Sequence, residues 1–321
     1  MLIFNLLTYF PEEISKTIEE YFKTDKEEKN RTIEEIRLRA DKPLILKFNK
    51  TEAVLNIDIS QEMILKTLQK VCDNSIYSFQ NQIKEGFVTI KGGHRIGITG
   101  NCVIEDDKVS NINYISSLNF RIAKEIKGSS NKLLKYVLDL ENNNIFNTLI
   151  VSPPGVGKTT VLRDLIRKIS TGIEKVNFKG INVGVVDERG EIAAMYKGIP
   201  QNDIGIRTDV LDNVSKSIGM RMLIRSMAPK VLSADEIGSN DDIEPINYAI
   251  CSGIKGIFTA HGSNLEEISI NPTLKKLLSV HIFERIIFLS DKKQKAGIEL
   301  IYNLNKKTSE YLIMEWFYVR Y

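Results

Sequence analysis

A glycine-rich loop constrains the fold more than any other feature of this 321-residue chain. The loop, Ser152-Pro-Pro-Gly-Val-Gly-Lys-Thr-Thr160, follows an apolar run at 147–151 and precedes residues with helical apolar spacing at 158–169. The phosphate-loop pattern G-x-x-x-x-G-K-[ST] is met from Gly157 onward, with Ser152 in place of the first glycine. A strand, this loop and a helix in that order predict one βα unit of a nucleotide-binding domain.

The residue types in the loop suit a phosphate ligand. Gly155 and Gly157 let the backbone approach an anion closely, and the N-terminus of the following helix adds partial positive charge. Lys158 would reach the β- and γ-phosphates of ATP, and the Thr159 hydroxyl would ligate Mg²⁺. The predicted nucleotide-binding residues are Ser152, Pro153, Pro154, Gly155, Val156, Gly157, Lys158, Thr159 and Thr160.

The helix after the loop is amphipathic, which favours phosphate binding over a chance glycine-proline turn. One face carries Val161, Leu162, Leu165, Ile166 and Ile169. The other face carries Arg163, Asp164, Arg167 and Lys168.

The C-terminal half of the chain continues to alternate strands with helices. Apolar runs at 182–186, 230–232 and 255–259 alternate with helical stretches at 214–227 and 241–250. This alternation predicts an α/β domain with a parallel sheet covered on both faces. Ligands bind such sheets at the carboxyl ends of the strands, so the reactive residues should follow each strand directly.

Acidic residues stand at two of these strand ends. Asp235 and Glu236 follow the run at 231–234 in the arrangement called Walker B, where Asp235 holds Mg²⁺ through water and Glu236 polarises the attacking water. Asp187 and Glu188 end an additional strand between the phosphate loop and Walker B. That insertion is the layout of the RecA/AAA+ branch of P-loop ATPases and favours hydrolysis over binding alone.

A further strand, at 256–260, ends at His261. A lone histidine is more often structural than catalytic, but its place at the same sheet edge makes His261 a candidate γ-phosphate sensor. Glu236 is the favoured base for activating water, and Glu188 is the alternative.

Length indicates two domains, at about 150 residues per domain. Turn-forming residues are concentrated between 128 and 144, and the predicted division is 1–135 and 136–321. The first part mixes helical spacing at 11–22 and 60–71 with strand-like runs and a hairpin, which predicts a smaller α+β domain.

Charge and composition exclude several classes of protein. With 42% hydrophobic and 26% charged residues the chain is not disordered. Its 44 basic and 41 acidic residues are too evenly balanced to indicate nucleic-acid binding. Three scattered cysteines argue against disulfides and structural zinc.

No apolar run in the sequence is long enough to span a membrane. The apolar segment 1–10 is expected to pack on the core, with a membrane-touching arm as the alternative.

Taken together, the motifs at 152–160, 187–188, 235–236 and 259–261 resemble the Walker A, Asp box, Walker B and His box of type II/IV secretion ATPases. A closer resemblance is to the stage III sporulation protein AA family. In the second domain it rests on Val186-Asp-Glu-Arg-Gly-Glu-Ile-Ala-Ala194, Met220-Arg-Met-Leu-Ile-Arg-Ser-Met-Ala-Pro229 and Asp235-Glu-Ile-Gly238. In the first domain it rests on Glu35-Ile-Arg-Leu-Arg39, Gly92-Gly-His-Arg-Ile-Gly97 and Asn119-Phe-Arg-Ile-Ala123.

This resemblance implies a RecA-like ATPase with ATP and Mg²⁺ as cofactors, assembled as a homo-oligomeric ring, a hexamer. It implies a cytoplasmic location in the mother cell, beside the membrane proteins of a channel that leads to the forespore. In such rings one subunit supplies arginines to the nucleotide of another. Arg95 and Arg121 are the candidates by position, and Arg207, Arg221 and Arg225 are candidates within the ATPase domain.

One departure from the secretion ATPases leaves the base open. Many of them have Gly-Glu at Walker B and are thought to use a glutamate of the Asp box, whereas this chain has Asp235-Glu236 as well as Glu188. Two other functions compete with an ATP-driven motor. One is a RecA-like nucleic-acid motor, which the balanced charge and the low aromatic content disfavour. The other is a nucleotide-switched scaffold with little turnover.

Overall fold

A computed structural model describes residues 5–24, 32–292 and 294–316. The chain divides into two compact units. Unit 1 comprises Met1–Lys124 and Ala194–Gln201, and unit 2 comprises Glu125–Ala193 and Asn202–Tyr321. The division therefore falls before Glu125, whereas the sequence places it between residues 135 and 136.

Unit 1 is an antiparallel sheet with helices, as predicted for an α+β domain. Its strands are β1 (Ile33–Arg39), β2 (Lys42–Phe48), β3 (Glu52–Ile59), β4 (Phe87–Ile90), β5 (His94–Glu105) and β6 (Lys108–Arg121). Its helices are α1 (Glu12–Thr24), α2 (Gln61–Val71) and α3 (Gln80–Lys84). The strand order is β3-β2-β1-β6-β5-β4.

The core of unit 1 includes the apolar N-terminal segment. Leu6, Leu7 and Phe10 are buried there with Ile14 and Ile18 of α1, which agrees with the predicted packing role. Met1–Phe4 lie outside the described residues.

The segment Ala194–Gln201 belongs to unit 1 although it follows the second acidic motif in sequence. Asp73 accepts a hydrogen bond from the Tyr196 hydroxyl (2.8 Å) and forms an ion pair with Lys197 (2.7 Å). The Gln201 amide oxygen accepts the Gly92 N–H (2.8 Å). These long-range contacts hold the segment to the antiparallel sheet, and no local pattern in the sequence signals them.

Unit 2 is the expected α/β domain. Its helices are α4 (Leu134–Val137), α5 (Lys158–Thr171), α6 (Lys216–Ser226), α7 (Ile243–Cys251), α8 (Leu265–Ile270) and α9 (Pro272–Ser279). Two small two-stranded sheets pair β7 (Leu138–Asp139) with β8 (Asn144–Ile145) and β10 (Gly172–Ile173) with β11 (Phe178–Lys179). The strands of the main sheet are β9 (Thr148–Ser152), β12 (Val183–Asp187), β13 (Thr208–Asp212), β14 (Val231–Ala234), β15 (Lys255–His261), β16 (Arg285–Ser290), β17 (Gly297–Asn305) and β18 (Glu310–Trp316).

The main sheet has the order β13-β12-β14-β15-β9-β16-β17-β18. Neighbours are parallel from β13 through β16, and β17 and β18 extend the sheet with antiparallel pairs. Every residue of β9, β12 and β14 is buried, as expected for a parallel sheet covered on both faces. The predicted strands β9, β12, β14 and β15 are confirmed. None of the helices in the described ranges has the length and apolar composition to cross a membrane.

The turn-rich segment after residue 127 is tied to α5. Both the N–H and the hydroxyl of Ser130 donate to Asp164 (2.9 and 2.6 Å), and Lys168 donates to the Ser130 hydroxyl (3.0 Å). Hydrogen bonds from Ser130 and from Arg167 and Lys168 outweigh burial and hold the pKa of Asp164 far below its usual range. The polar face of α5 is therefore covered, which explains why residues 128–131 group with unit 2.

Candidate nucleotide site

The phosphate loop has the backbone that its glycines allow. Gly155 (φ 78°) and Gly157 (φ 118°) adopt left-handed conformations that residues with a Cβ rarely take. Gly157 is the N-cap of α5, and no side chain caps this helix end. Its N–H groups are thus available to an anion. Ser152, which replaces the first glycine of the motif, has no left-handed φ, so its Cβ causes no backbone strain there.

A cavity of about 390 Å³ lies against the loop. Its lining includes the loop from Pro154 to Thr160, together with Glu191, Glu236 and His261. A larger cavity in unit 2, of about 730 Å³, has mostly apolar walls and contains none of the motif residues. The predicted nucleotide-binding residues from Pro154 to Thr160 therefore line a separate cavity.

Lys158 lies in this cavity beside His261. Its Nζ is 3.1 Å from His261 Nδ1 and donates to the Ser152 carbonyl (3.3 Å). Because the ammonium group can only donate, His261 Nδ1 accepts and Nε2 carries the proton. Burial lowers the pKa of Lys158, and the charges of Glu236 and Asp235 oppose this effect.

Asp235 is held by two hydroxyl groups. Thr159 Oγ1 donates to its Oδ2 (2.5 Å), and Thr259 Oγ1 donates to its Oδ1. Burial nevertheless raises the pKa of Asp235, and the neighbouring charge of Glu236 adds to the rise. A cation would favour the ionised form of this carboxylate.

Glu236 lies between His261, which contacts the loop lysine, and Arg189, which follows the Asp187–Glu188 motif. Its Oε1 is 2.8 Å from His261 Nε2, and its Oε2 is 2.7 Å from Arg189 Nη1. The residue has a left-handed φ of 54°, which is uncommon outside glycine and occurs often at functional sites. Its N–H donates to Thr259 Oγ1 (2.7 Å). The Thr259 hydroxyl on β15 therefore contacts both Asp235 and Glu236.

Glu188 reaches the same sheet edge. It forms an ion pair with Lys216 at the start of α6. A small cavity between the two acidic strand ends is lined by Asp187, Glu188, Arg189, Glu191, Lys216, Asp235 and Glu236. Thus the structure brings together both candidate bases, as the strand-end argument predicts.

Among residues 5–24, 32–292 and 294–316, no three His, Cys, Asp or Glu side chains are grouped closely enough to hold a metal by themselves. Mg²⁺ commonly takes one or two protein ligands and completes its shell with water and substrate phosphates. Thr159 and Asp235, in direct contact beside the phosphate loop, suit that kind of site.

The candidate arginines fall into different environments. Arg95 on β5 and Arg121 on β6 are cross-strand partners in unit 1 and share a face of its sheet. Arg207 donates to the Ser170 carbonyl near the C-terminus of α5, the end opposite the phosphate loop, which is a structural role. Arg221 pairs with Glu244, and both side chains are exposed.

The family model for sporulation stage III protein AA matches residues 11–309. The chain belongs to this family. Stage III sporulation protein AA of Bacillus subtilis (strain 168) is 39% identical over 271 residues, which are 84% of this chain and 87% of that protein. The uncharacterized protein ycf45 of Cyanidium caldarium is 27% identical over 236 residues, 71% of this chain and 61% of that protein.

Two solved structures, an ATPase and a pilus retraction motor, share the fold of this stage III protein AA family member. The ATPase DotB of Legionella pneumophila has a TM-score of 0.58 at 13% identity, covering 86% of this chain and 78% of that one. The pilus retraction motor PilT with bound ADP has a TM-score of 0.53 at 16% identity, covering 87% and 77%. At these identities the likeness shows the fold alone, and it confirms the predicted RecA-like core.

The motifs do not predict four residues that shape the site of this family member. Arg189 and Lys216 pair with the candidate bases. Thr259 binds Asp235, and Glu191 lines both cavities. Arg189 and Glu191 follow β12, and Thr259 lies within β15 two residues before His261. These positions are the only sequence signal for the three residues, since their partners depend on the folded loops.

Proposed function

We propose that this protein is an Mg²⁺-dependent ATPase of the secretion-motor type. One observation carries the proposal: Lys158, His261 and Glu236 form a continuous chain of contacts above the phosphate loop, next to the Thr159–Asp235 pair. A phosphate-binding lysine, a metal-binding pair and a base for water are the groups that ATP hydrolysis requires.

The residues divide the work by their position. Loop N–H groups and Lys158 would bind the phosphates, and Thr159 and Asp235 would hold Mg²⁺, which would supply positive charge to offset the charge that develops on the phosphates. Glu236 orients water and accepts its proton. His261 contacts both Lys158 and Glu236, so a change at the γ-phosphate can reach the base through one side chain.

Glu236 is the better candidate base for a structural reason. It lines the phosphate-loop cavity itself, whereas Glu188 lines the adjoining acidic cavity. We assign Glu188 a supporting charge at the same edge, with Lys216 as its partner.

The biological role is proposed from the family and the fold. A cytoplasmic ring of identical subunits, a hexamer, would act in the mother cell beside membrane proteins of a sporulation channel. Arg95 and Arg121 would act at the nucleotide of a neighbouring copy, and an arginine of this kind is typically worth roughly 10³ to 10⁵ in rate. Assembly into a larger species in the presence of ATP and Mg²⁺ would support this role.

The test uses the full chain. Phosphate release should require Mg²⁺, and Lys158→Ala should abolish it, while Lys175→Ala, an exposed lysine of the same unit, should leave it unchanged. Gel filtration should show a larger species with ATP and Mg²⁺. A chain that stays monomeric with nucleotide and releases no phosphate beside its partner proteins would contradict the motor.

One observation favours a second candidate, a nucleotide-switched scaffold. Both candidate bases are already engaged by cations, Glu236 by Arg189 and Glu188 by Lys216, which would slow the activation of water. Tight ATP binding with negligible turnover, even beside partner proteins, would favour the scaffold over the motor.

A further inference from the structure

The loop that follows β12 is fixed by one buried carboxylate. The Asp187 side chain is only 2% exposed. It accepts the N–H groups of Glu191 (2.8 Å), Ile192 (3.0 and 3.1 Å) and Ala193 (2.8 Å). An acid that accepts this many backbone hydrogen bonds is bound as a structural centre, so Asp187 is not free to act on substrate.

The carbonyl groups of the same loop are bound by Arg163 of α5, the helix that follows the phosphate loop. Arg163 donates through Nε to the Ile192 carbonyl (2.7 Å) and through Nη2 to the Glu191 carbonyl (2.5 Å). Burial lowers the pKa of the guanidinium group, and the charge of Asp187 is the main opposing effect. The planar fork of arginine matches two adjacent carbonyl groups in a way that lysine does not.

Arg163 lies one helical turn beyond Thr159. Residues four apart share a helix face, so the helix that presents Thr159 to Asp235 presents Arg163 to the loop. Any shift of α5 along its axis when phosphate binds at its N-terminus therefore moves the loop with it.

Glu191 and Ile192 are the two loop residues that this arrangement holds at both the N–H and the carbonyl, and of the two Glu191 carries a carboxylate. Its N–H is bound to Asp187 and its carbonyl to Arg163. The same residue lines the phosphate-loop cavity and the adjoining acidic cavity, and Glu236 is the other glutamate common to both. A glutamate that lines the phosphate-loop cavity is placed where a carboxylate can take part in the chemistry of the site.

We infer that Glu191 is a further carboxylate of the nucleotide site, and that Arg163 positions it. The inference rests on the proposed ATPase function. Glu191 orders water at the phosphates beside Glu236. Arg163 is not among the residues that line the phosphate-loop cavity and acts through the backbone of the loop.

Two variants separate this role from simple stabilisation. Glu191→Gln leaves the backbone contacts of the loop in place and removes only the charge. Arg163→Lys keeps the charge and removes the fork. We expect Arg163→Lys to lower kcat by roughly 10²-fold, the cost of misplacing a reacting group by about 1 Å. We expect Glu191→Gln to lower kcat by roughly 10²-fold as well, because the carboxylate that orders water is lost, and KM should change less than about twofold in both. The double variant should lose little more than either single variant, because both act on one group.

Arg167→Lys is the matched control. Arg167 lies one turn further along α5 and pairs with Asp164, away from the loop, so kcat should match the wild type. Hydrogen exchange gives a readout that needs no turnover. The amides of 191–193 should exchange faster in Arg163→Lys and at the wild-type rate in Arg167→Lys.

The outcomes distinguish the inference from the function on which it rests. If the wild type hydrolyses ATP and both variants keep its kcat, the inference fails and the ATPase stands. If purely structural loss is the cause, Arg163→Lys alone lowers the thermal midpoint and Glu191→Gln keeps full kcat, which also overturns it. A wild type without turnover removes the ATPase and the role of Glu191 together, and unchanged exchange at 191–193 would overturn the positioning by Arg163 independently.

Discussion

The two edges of the main sheet in unit 2 carry buried carboxylates with opposite properties. At the edge where β9, β15 and β16 begin, Glu284 is 8% exposed and accepts Lys255 Nζ (2.7 Å), Lys306 Nζ (2.9 Å) and the Asn147 N–H (3.0 Å). At the edge where the strands end, Asp235 lies beside Glu236 with two threonine hydroxyls as its hydrogen-bond donors.

The pKa values follow from these partners. Burial alone would raise the pKa of Glu284, but the two lysines and the backbone N–H outweigh it and hold the pKa at about 2. For Asp235 the effect of burial exceeds that of the two threonine hydrogen bonds, and the pKa is raised. Cations satisfy the first carboxylate within the fold, whereas the second gains from a cation supplied with the ligand. Perturbed groups of the second kind mark functional sites.

The largest effect that this comparison predicts is on the rate at the strand-end edge. Glu236→Gln removes the base and should lower kcat for phosphate release by roughly 10²- to 10⁴-fold, while ATP still binds. Gel filtration should show the nucleotide-bound assembly accumulating. Glu188→Gln is the paired variant with a smaller expected loss, and a larger loss for Glu188→Gln would exchange the two assignments.

At the opposite edge the expected effect is on stability. The folded-state pKa of Glu284 lies below its ordinary value of 4.5, so its contribution is complete above about pH 4.5 and is lost as the pH falls towards 2. The contribution is worth about 3 kcal/mol at neutral pH. Glu284→Gln should lower the free energy of unfolding by about that amount at pH 7 and flatten the acid limb of urea titrations.

Two readouts make the Glu284 result specific. Glu310→Gln, at an exposed glutamate of the same sheet, should change stability by less than about 0.5 kcal/mol. In Glu284→Gln, kcat at neutral pH should match the wild type at temperatures where both are folded. A fall in kcat without a fall in stability would show that Glu284 affects the rate and that catalysis does not depend on the strand-end edge alone.

The raised pKa of Asp235 should make nucleotide binding depend on pH. Mg²⁺ requires the ionised carboxylate, so acidification through the raised pKa should weaken binding of the Mg²⁺–ATP complex by about tenfold per pH unit. Calorimetric titration of the wild type between pH 4 and 7 measures this slope. Asp235→Asn should bind more weakly and remove this part of the slope, and an identical slope in that variant would assign the proton to another group.

The strand-end site could be predicted from sequence because its signals are local. Asp235 directly follows the mostly apolar run at 231–234, His261 follows the run at 256–260, and the glycine-rich phosphate loop predicts the helix that comes after it. Glu284 could not be predicted, since its partner Asn147 is 137 positions away in sequence. The polar face of α5 is a similar case: helical periodicity separates Arg163 from the apolar positions, but only the fold shows that a loop covers it.

The smallest effect is expected at Asp164 on α5, a buried carboxylate of unit 2 that lies away from both edges of the main sheet. Ser130→Ala removes a hydroxyl that donates to Asp164 (2.6 Å) and accepts from Lys168 (3.0 Å). Losing such hydrogen bonds costs about 1–3 kcal/mol, so chemical unfolding should show a loss in this range. Ser129→Ala, whose hydroxyl makes one longer bond to the Thr160 carbonyl (3.2 Å), should lose less. Ser130→Ala should keep the wild-type kcat, because Asp164 stays paired with Arg167 and Lys168 and Ser130 is not among the residues that line the phosphate-loop cavity. A reduced kcat in Ser130→Ala alone would extend the functional region along α5 beyond Arg163.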